Sequence, residues 1–410
     1  MLDFQTAETA AGPQDYISAP QGVAVNEAIE DITSWLLTKA RKRSGPTEMF
    51  SAFCDMLVDA GVPLARASLA IETRHAEQAG LGWFWQPCKE TDLQAFPYGS
   101  MAEDIYRHSP FARVHETGKW LRLDVQTAPD DAFGIVPELK EAGITDYICI
   151  PLPFEATEYN GISFATDADA GFTTDHVRLL KGVLPAFQTV AEVMALNSRI
   201  KTVLRTYVGE EPQKRILAGD IHRGDIVRVR SAVMFIDMRN FTSLSMNMNA
   251  AELAEFLNRY YDCLVPAIEA NGGEVLKFVG DGVLATFRTG GKGAALACLR
   301  ALAAARDVLD AVNRARNGGP GPKFSVKIAL HFGSVAYGNI GSGERLDFTV
   351  IGRDVNVASR LTNLCGQLER MLLVSGEFHD RICNLVNFIP AGEHYLRGVP
   401  KKQRVYEPAE

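Results

Sequence analysis

No two of the seven cysteines, Cys54, Cys88, Cys149, Cys263, Cys298, Cys365 and Cys383, stand in a C-x-x-C spacing. Their scatter argues against a zinc site and against a disulfide framework, and a reduced, cytoplasmic setting is expected. No Cys-His spacing supports haem or an iron–sulfur cluster. No apolar run approaches the ~18–20 residues needed to cross a bilayer, so no membrane span is expected. Met1–Pro20 lacks the basic start and apolar core of a secretory signal; Asp3, Glu8, Pro13 and Asp15 among small residues read as a disordered leader covering residues 1–24. Positive charge is also in deficit. The formal net charge of −8 disfavours nonspecific binding to nucleic acid or an anionic membrane, although it says nothing about one local basic cleft. There is no internal repeat, and no low-complexity tract beyond the Ala-rich stretch near Ala294–Ala305.

What is present is the composition of a soluble globular protein, 47% hydrophobic and 22% charged, over 410 residues, a length for two or three domains. The first ordered segment predicted is a helix over Val25–Lys42, with Ile29, Ile32, Leu36 and Leu37 on one face, ending at Ser44-Gly45-Pro46. A second helix is expected over Thr47–Ala60 with Thr47 as its N-cap. Strand-like runs follow at Ala67–Thr73, Gly82–Gln86, Trp120–Val125, Tyr147–Phe154 and Asn160–Thr166, the last two as adjacent antiparallel strands, and Thr173 or Thr174 opens a long helix. This order of elements, spanning residues 25–185, resembles a GAF-type sensory domain. Trp83, Trp85, Trp120, His75, His108 and His115 offer either an effector pocket or ordinary core packing.

From His176 to about Leu217 the apolar positions keep a helical stripe: Leu179, Leu180, Val183, Leu184, Phe187, Val190, Val193, Met194 and Leu196, then Ile200, Val203 and Leu204. A stripe that outruns its domain needs a partner surface, which a two-stranded coiled coil supplies; the alternative is a helix folded back on its own domain. Residues 186–226 are therefore read as a dimerising connector. From Ser231 the elements become strand (Ser231–Ile236), helix (Ala250–Asn271), hairpin (Glu274–Val279 and Val283–Phe287), helix (Gly293–Arg316), strand (Phe324–Phe332), hairpin (Ser334–Val350), helix (Val355–Cys365), strand (Leu372–Val374), a short helix and a final strand pair. That pattern predicts an α+β sandwich of the ferredoxin-like kind over residues 227–410.

Three clusters carry chemistry. Asp237 ends the strand Ala232–Ile236 and opens the loop Met238–Ser243, where the backbone N–H groups around Phe241 and Thr242 form a phosphate cradle. Asp281 sits in the tight turn Phe278-Val279-Gly280-Asp281-Gly282. Two carboxylates beside a phosphate cradle suit Mg²⁺, whereas each aspartate singly also fits a turn or a helix cap. Asn356 and Arg360, four apart on one helix, can orient a ribose and neutralise a phosphate, or form a surface pair.

Together, Phe235–Thr242, Lys277-Phe278-Val279-Gly280-Asp281, Leu330-His331-Phe332-Gly333 and Asp347–Arg360 resemble the ordered signatures of class III adenylyl and guanylyl cyclase catalytic domains, over roughly Arg230–Tyr406. The resemblance implies that Asp237 and Asp281 hold two divalent ions, Mg²⁺ or Mn²⁺, with Phe241 and Thr242 in the substrate loop. Lys277 and Thr349 take the purine-reading positions, where a lysine suits adenine N1 and guanylyl cyclases usually carry Glu; Thr349 resembles a mainly bacterial subclass. Asn356 would orient the ribose and Arg360 would stabilise the transferred phosphoryl group. Lys327 falls at a phosphate-binding Arg position and Arg397 at a terminal-phosphate Lys position, with Lys401 as a rival. Asn240 departs from the usual Gly, and it is a residue that tolerates left-handed backbone angles. His331 is expected to be a packed strand residue. The implied assembly is a homodimer in which one chain supplies Asp237, Asp281 and Lys327, and the other Lys277, Thr349, Asn356, Arg360 and Arg397. The implied activity is conversion of ATP to cyclic AMP and pyrophosphate, regulated by the N-terminal domain through a small-molecule effector or none. The alternatives are a guanylate cyclase of the same fold and a catalytically silent nucleotide-binding dimerisation module. Gly272-Gly273-Glu274 lacks the Asp-Glu-Phe that would continue it into a diguanylate cyclase signature.

Overall fold

The structure, a computed structural model, describes residues 22–42, 45–73, 78–155, 157, 159–246, 248–318 and 323–409. Most of the expected leader and His75 lie outside them. The chain divides into two compact units, up to Val203 and from Leu204 on.

The N-terminal unit runs α1 (Gly22–Thr38), α2 (Pro46–Asp59), β1 (Arg66–Glu72), β2 (Gln78–Trp85), β3 (Asp92–Pro97), α3 (Ser100–Arg107), α4 (Pro110–Thr117), β4 (Leu121–Asp124), α5 (Val136–Glu141), β5 (Asp146–Pro151), β6 (Gly161–Thr166) and α6 (Thr174–Val208). Its six strands form one antiparallel sheet in the order β3-β2-β1-β6-β5-β4. One face packs against α1, α2 and α6 through Val25, Ile32, Leu36, Phe50, Phe53, Leu180 and Phe187. The other packs Tyr147, Cys149 and Ala165 against Val114 of α4 and Leu139 of α5. Trp83 and Trp85 are core residues, with indole N–H groups donating to Thr47 Oγ1 at 2.9 Å and Asp55 Oδ1 at 3.2 Å.

Several local expectations need correction. Leu37 is 50% exposed, because at 100° per residue it turns away from the face that buries Val25, Ile32 and Leu36. Thr47 does not cap α2; the N-cap is Gly45, without a side-chain bond, and the Thr47 hydroxyl serves Trp83 instead. Strand β3 is absent from the sequence reading; its residues are mostly exposed, so the short alternation of Leu93 and Ala95 marks no buried face. The stripe that begins at His176 is not one continuous connector. Leu179 to Ala191 are buried in the N-terminal core, so the domain extends past residue 185. The helix then ends at Val208, and Gly209, at φ 91°, turns the chain into a separate helix, α7 (Glu210–Ala218). Among the described residues α6 is long and apolar enough to cross a membrane by length and composition alone, while its first half is core of the unit.

The C-terminal unit continues with β7 (Ile226–Met238), α8 (Phe241–Ser245), α9 (Ala250–Ala270), β8 (Glu274–Val279), β9 (Gly282–Arg288), α10 (Ala294–Asn317), β10 (Val326–Gly341), β11 (Leu346–Ile351), α11 (Arg353–Gln367), β12 (Leu372–Ser375), α12 (Gly376–Ile382), β13 (Phe388–His394) and β14 (Gln403–Pro408). The segment β7–α9–β8–β9–α10–β10 has the strand order β10-β7-β9-β8, all antiparallel, which is the ferredoxin-like arrangement that the element order predicts. Strands β12, β14 and β13 extend the sheet, and β11 pairs with β10. Helices α9, α10 and α12 cover one face; α11 covers the other. The predicted break at Gly333 does not occur: β10 runs through it for 16 residues. Gly333 is needed for closeness instead, since a Cβ there would stand 2.2 Å from Asp354 Oδ2.

Candidate active site

Asp237 lies at the end of β7, and its direct cross-strand neighbour on β10 is Lys327. That register brings the Lys327 ammonium to 2.6 Å from Asp237 Oδ2, with both side chains mostly buried. Asp281 arrives from the β8–β9 hairpin. Gly280 takes φ 62° as the first central residue of the two-residue turn, the conformation a Gly-X hairpin turn demands, and Tyr261 Oη steadies the turn by donating to Gly280 O at 2.5 Å. The Met238 N–H donates to Asp281 Oδ2 at 3.1 Å, so the turn is clamped onto the end of β7. Burial first, and the facing Asp237 carboxylate second, push the Asp281 carboxyl above its ordinary range. The two aspartates thus come together, as their pairing on neighbouring strands predicts.

This donor set fits a divalent cation. Two facing carboxylates, one of them held above its ordinary range by burial first and by the other carboxylate second, are an oxygen-only site that Lys327 partly neutralises. A pair of carboxylates leaves room for substrate oxygens to complete the shell of Mg²⁺ or Mn²⁺.

The loop after β7 holds its predicted shape. Asn240 adopts φ 58° and ψ 27°, the left-handed conformation that Gly would otherwise supply, and caps the short α8 by position only. Phe241 packs on the core below, and Thr242 is exposed.

A second group gathers around β8, β11 and α11. Lys277 is exposed on β8, and its ammonium bonds Asp347 Oδ2 at 2.5 Å. Thr349 follows two residues later on β11, hence on the same face of the strand. Asn356 and Arg360 are both exposed on α11, one turn apart. The start of α11 is fixed by Asp354, whose Oδ2 accepts from Ser334 N at 2.7 Å and whose Oδ1 lies 3.7 Å from His331 Nε2. The His331 imidazole first, and the Ser334 N–H after it, hold the Asp354 carboxyl below its usual range. His331 is a buried strand residue, its Nδ1 bonded to Ser375 Oγ at 2.8 Å, and it is remote from the aspartate pair in hydrogen bonding. Arg397 and Lys401 are exposed between β13 and β14. Among the described residues, the side chains of Thr349, Asn356, Arg360 and Arg397 make no hydrogen bond or ion pair, and none joins this group to the Asp237–Asp281–Lys327 group. Asp347 is the residue that sequence reasoning passed over; the alternation Asp347, Thr349 on one strand face was the available signal.

Comparison with known proteins places residues 228–407 against the model of the adenylate and guanylate cyclase catalytic domain. An adenylate cyclase of Anabaena cylindrica is 37% identical over 147 residues, covering 36% of this chain and 29% of that protein. Adenylate cyclase 1 of Rhizobium meliloti (strain 1021) is 30% identical over 228 residues, covering 53% of this chain and 34% of that protein. The chain therefore spans about a third of the length of the curated relatives it matches. The solved adenylyl cyclase CyaB of P. aeruginosa aligns at 25% identity with a TM-score of 0.39, over 45% of this chain and 96% of that one.

Proposed function

Because residues 228–407 belong to the adenylate and guanylate cyclase catalytic-domain family, we propose that this chain is an adenylate cyclase that converts ATP to 3′,5′-cyclic AMP and pyrophosphate in a homodimer. The observation that carries the reading is the meeting of Asp237 with Asp281 beside the Asn240–Thr242 loop. In the reaction the ribose O3′ bonds to the α-phosphorus, the bond from that phosphorus to the oxygen bridging the β-phosphate breaks with its electron pair going to pyrophosphate, and the 3′-hydroxyl proton is released to water. Divalent ions held by the two aspartates would supply the positive charge that eases loss of this proton and neutralises the triphosphate. Lys327 sits where it can exchange its bond to Asp237 for a phosphate oxygen, and the backbone N–H groups of the turn at Asn240–Thr242, which follows Asp237 in the chain, would serve as further phosphate donors.

The remaining roles fall to the second group, supplied by the partner copy. Lys277 donates to adenine N1, and Thr349 accepts from the adenine amino group. Asn356 orients the ribose, Arg360 stabilises charge on the phosphoryl group in flight, and Arg397 takes the terminal phosphate. Two features support the division between copies. The unpaired side chains of Thr349, Asn356, Arg360 and Arg397 lack any bond to the aspartate group within one chain, and α6 leaves Val193, Leu196, Ile200 and Val203 exposed at coiled-coil spacing.

The N-terminal unit is read as a GAF-like sensory domain, on the support of its six-stranded antiparallel sheet between two helical layers. Among the described residues, a shallow groove of about 60 Å³ against α6 is lined by Glu72, Thr73, Gln78, Trp83, Ser198 and Arg199. The test is turnover by the purified chain with ATP or GTP and Mg²⁺ or Mn²⁺, with the cyclic product identified chromatographically. Cyclic AMP is the expected product, and Asp237→Ala should abolish it. A preference for GTP, or no cyclic product under any metal, overturns the reading.

A further inference from the structure

Strand β10 turns alternate residues to opposite faces of the sheet. Leu330 and Phe332 pack with α9, α10 and α12, while Ala329, His331 and Gly333 lie on the face that α11 covers. His331 is only 2% exposed there, and the N-cap of α12 decides where its proton sits. Ser375 caps α12, its Oγ accepting from Phe378 N–H at 3.2 Å. The hydroxyl proton then needs an acceptor of its own, and His331 Nδ1 stands 2.8 Å away. A neutral imidazole that accepts at Nδ1 carries its proton on Nε2. Among the described residues Nε2 has no hydrogen-bond partner, and Asp354 Oδ1 stands 3.7 Å from it. Glu377 Oε2 is 3.8 Å from Nδ1, but its side chain is 52% exposed and water screens it. The cap of one helix thus aims a buried donor at the first turn of another.

Asp354 is the second residue of α11. Its Oδ2 accepts from Ser334 N–H at 2.7 Å, and Gly333 leaves it the space that a Cβ would take. Asp354, Ala358 and Leu361 look toward the sheet, whereas Asn356 and Arg360, one turn apart, share the exposed face. The separation of 3.7 Å exceeds the usual N–H···O distance of about 2.9 Å. A buried donor without an acceptor is costly, and bonds around an empty active site often tighten when substrate arrives. Closing this one requires the first turn of α11 to settle toward β10. We propose that His331 is a positioning residue for the cyclase reaction: its Nε2–H, aimed by Ser375, draws Asp354 and the first turn of α11 into the register in which Asn356 and Arg360 act. The proposal rests on the adenylate cyclase reading above, and it adds a group behind the site that never touches nucleotide.

The test uses the full chain with His331→Gln, His331→Asn and Asp354→Ala. The Gln amide reaches the position of Nε2 and keeps a donor toward Asp354; the Asn amide reaches only that of Nδ1. Steady-state kcat and KM are measured for ATP, and binding of its non-cyclisable α,β-methylene analogue is measured by calorimetry. Long-range proton–nitrogen NMR reports the imidazole tautomer, with the His331 signals assigned by their loss in the Gln variant. The Asn variant should lower kcat at least about tenfold with KM and analogue binding within about twofold, since a displaced transition-state group leaves ground-state binding in place. Gln should restore most of the rate. Asp354→Ala should give the same split as Asn, and adding His331→Asn to it should change nothing further. The parent should carry a proton on Nε2, and hydrogen exchange over residues 353–361 should quicken in the Asn variant and return toward the parent in Gln. Should the Asn variant not fold, the tautomer and the Asp354→Ala split decide. The proposal is overturned by an unchanged kcat, by equal losses in Asn and Gln, by a loss carried in KM, by an effect of His331→Asn that persists without Asp354, or by an unprotonated Nε2. If the parent chain makes no cyclic nucleotide, the adenylate cyclase reading fails by itself, and the tautomer together with hydrogen exchange over residues 353–361 still decides whether His331 holds α11.

Discussion

Asp281 carries an electrostatic conflict that a bound cation would relieve. Its carboxyl accepts from Met238 N–H, faces Asp237 and is held above its ordinary range by burial and by that neighbour. A carboxyl raised in the folded state favours folding at pH values below its unfolded value, and that contribution is lost as pH rises through the raised one. In chelator at neutral pH the ionised Asp281 carboxylate therefore opposes the fold. Asp281→Asn keeps an oxygen for Met238 and removes the repulsion. The variant is expected to melt at a higher temperature than the parent in chelator, with the difference shrinking as pH falls into the carboxylate range. Its cyclase activity should drop at least about 100-fold, given that even residues one shell out from a metal cost about 10–100-fold. A variant that is both active and no more stable would show that the pair is not a metal site.

At the scale of elements, the short helix α7 is docked on the catalytic sheet by one arginine. Arg288 of β9 bonds Glu211 of α7 at 2.8 Å and Glu274 of β8 at 3.4 Å, and its guanidinium lies 4.6 Å from the centre of the Tyr337 ring. Glu211 N–H also donates to Glu274 Oε1 at 3.0 Å. Burial first holds the Glu274 carboxyl above its usual range, against the pull of Arg288. Arg288→Ala removes a cation–π contact and leaves two carboxylates facing each other, at an expected cost of about 2 kcal/mol in urea unfolding. The sign of the pH effect follows from Glu274: without its countercharge the loss should be larger at pH 8 than at pH 6, because the ionised form is the one that suffers. Strand β8 carries both Glu274 and Lys277, so this contact ties α7 to the strand that bears Lys277.

At the scale of the molecule, α6 presents two different faces beyond the N-terminal core. Ala195, Ser198, Arg199 and Thr202 line the groove, while Val193, Leu196, Ile200 and Val203, spaced 3, 4 and 3, stand between 37% and 51% exposed. An apolar seam at that spacing is what a parallel partner helix covers. Replacing Leu196 and Ile200 together by Lys is expected to yield a monomer in sedimentation and to lower cyclase activity at least tenfold at micromolar protein, with far-ultraviolet circular dichroism unchanged. Full activity from a demonstrated monomer would show that a single chain completes the site.

Some of this was legible in the sequence because the physics is local. The period of the apolar residues set β7, α9, the β8–β9 hairpin and α10, and their order sufficed for the ferredoxin-like topology. Asp237 and Asp281 were readable as a pair, since each ends or turns a strand, and Asn240 was readable as the left-handed residue of the loop. Other features depended on groups far apart in the chain. Whether the apolar stripe of α6 was core or seam turned on the sheet that buries Leu179 to Ala191 and stops there. Thr47 lost its capping role to Trp83, and Gly333, a break by composition, became the closest approach of Asp354. Lys277 is the clearest case. Its identity was plain from the sequence, but its face and its partner came from one extra residue in the pairing of β8 with β9, because register is a property of two strands and cannot be read from either one alone.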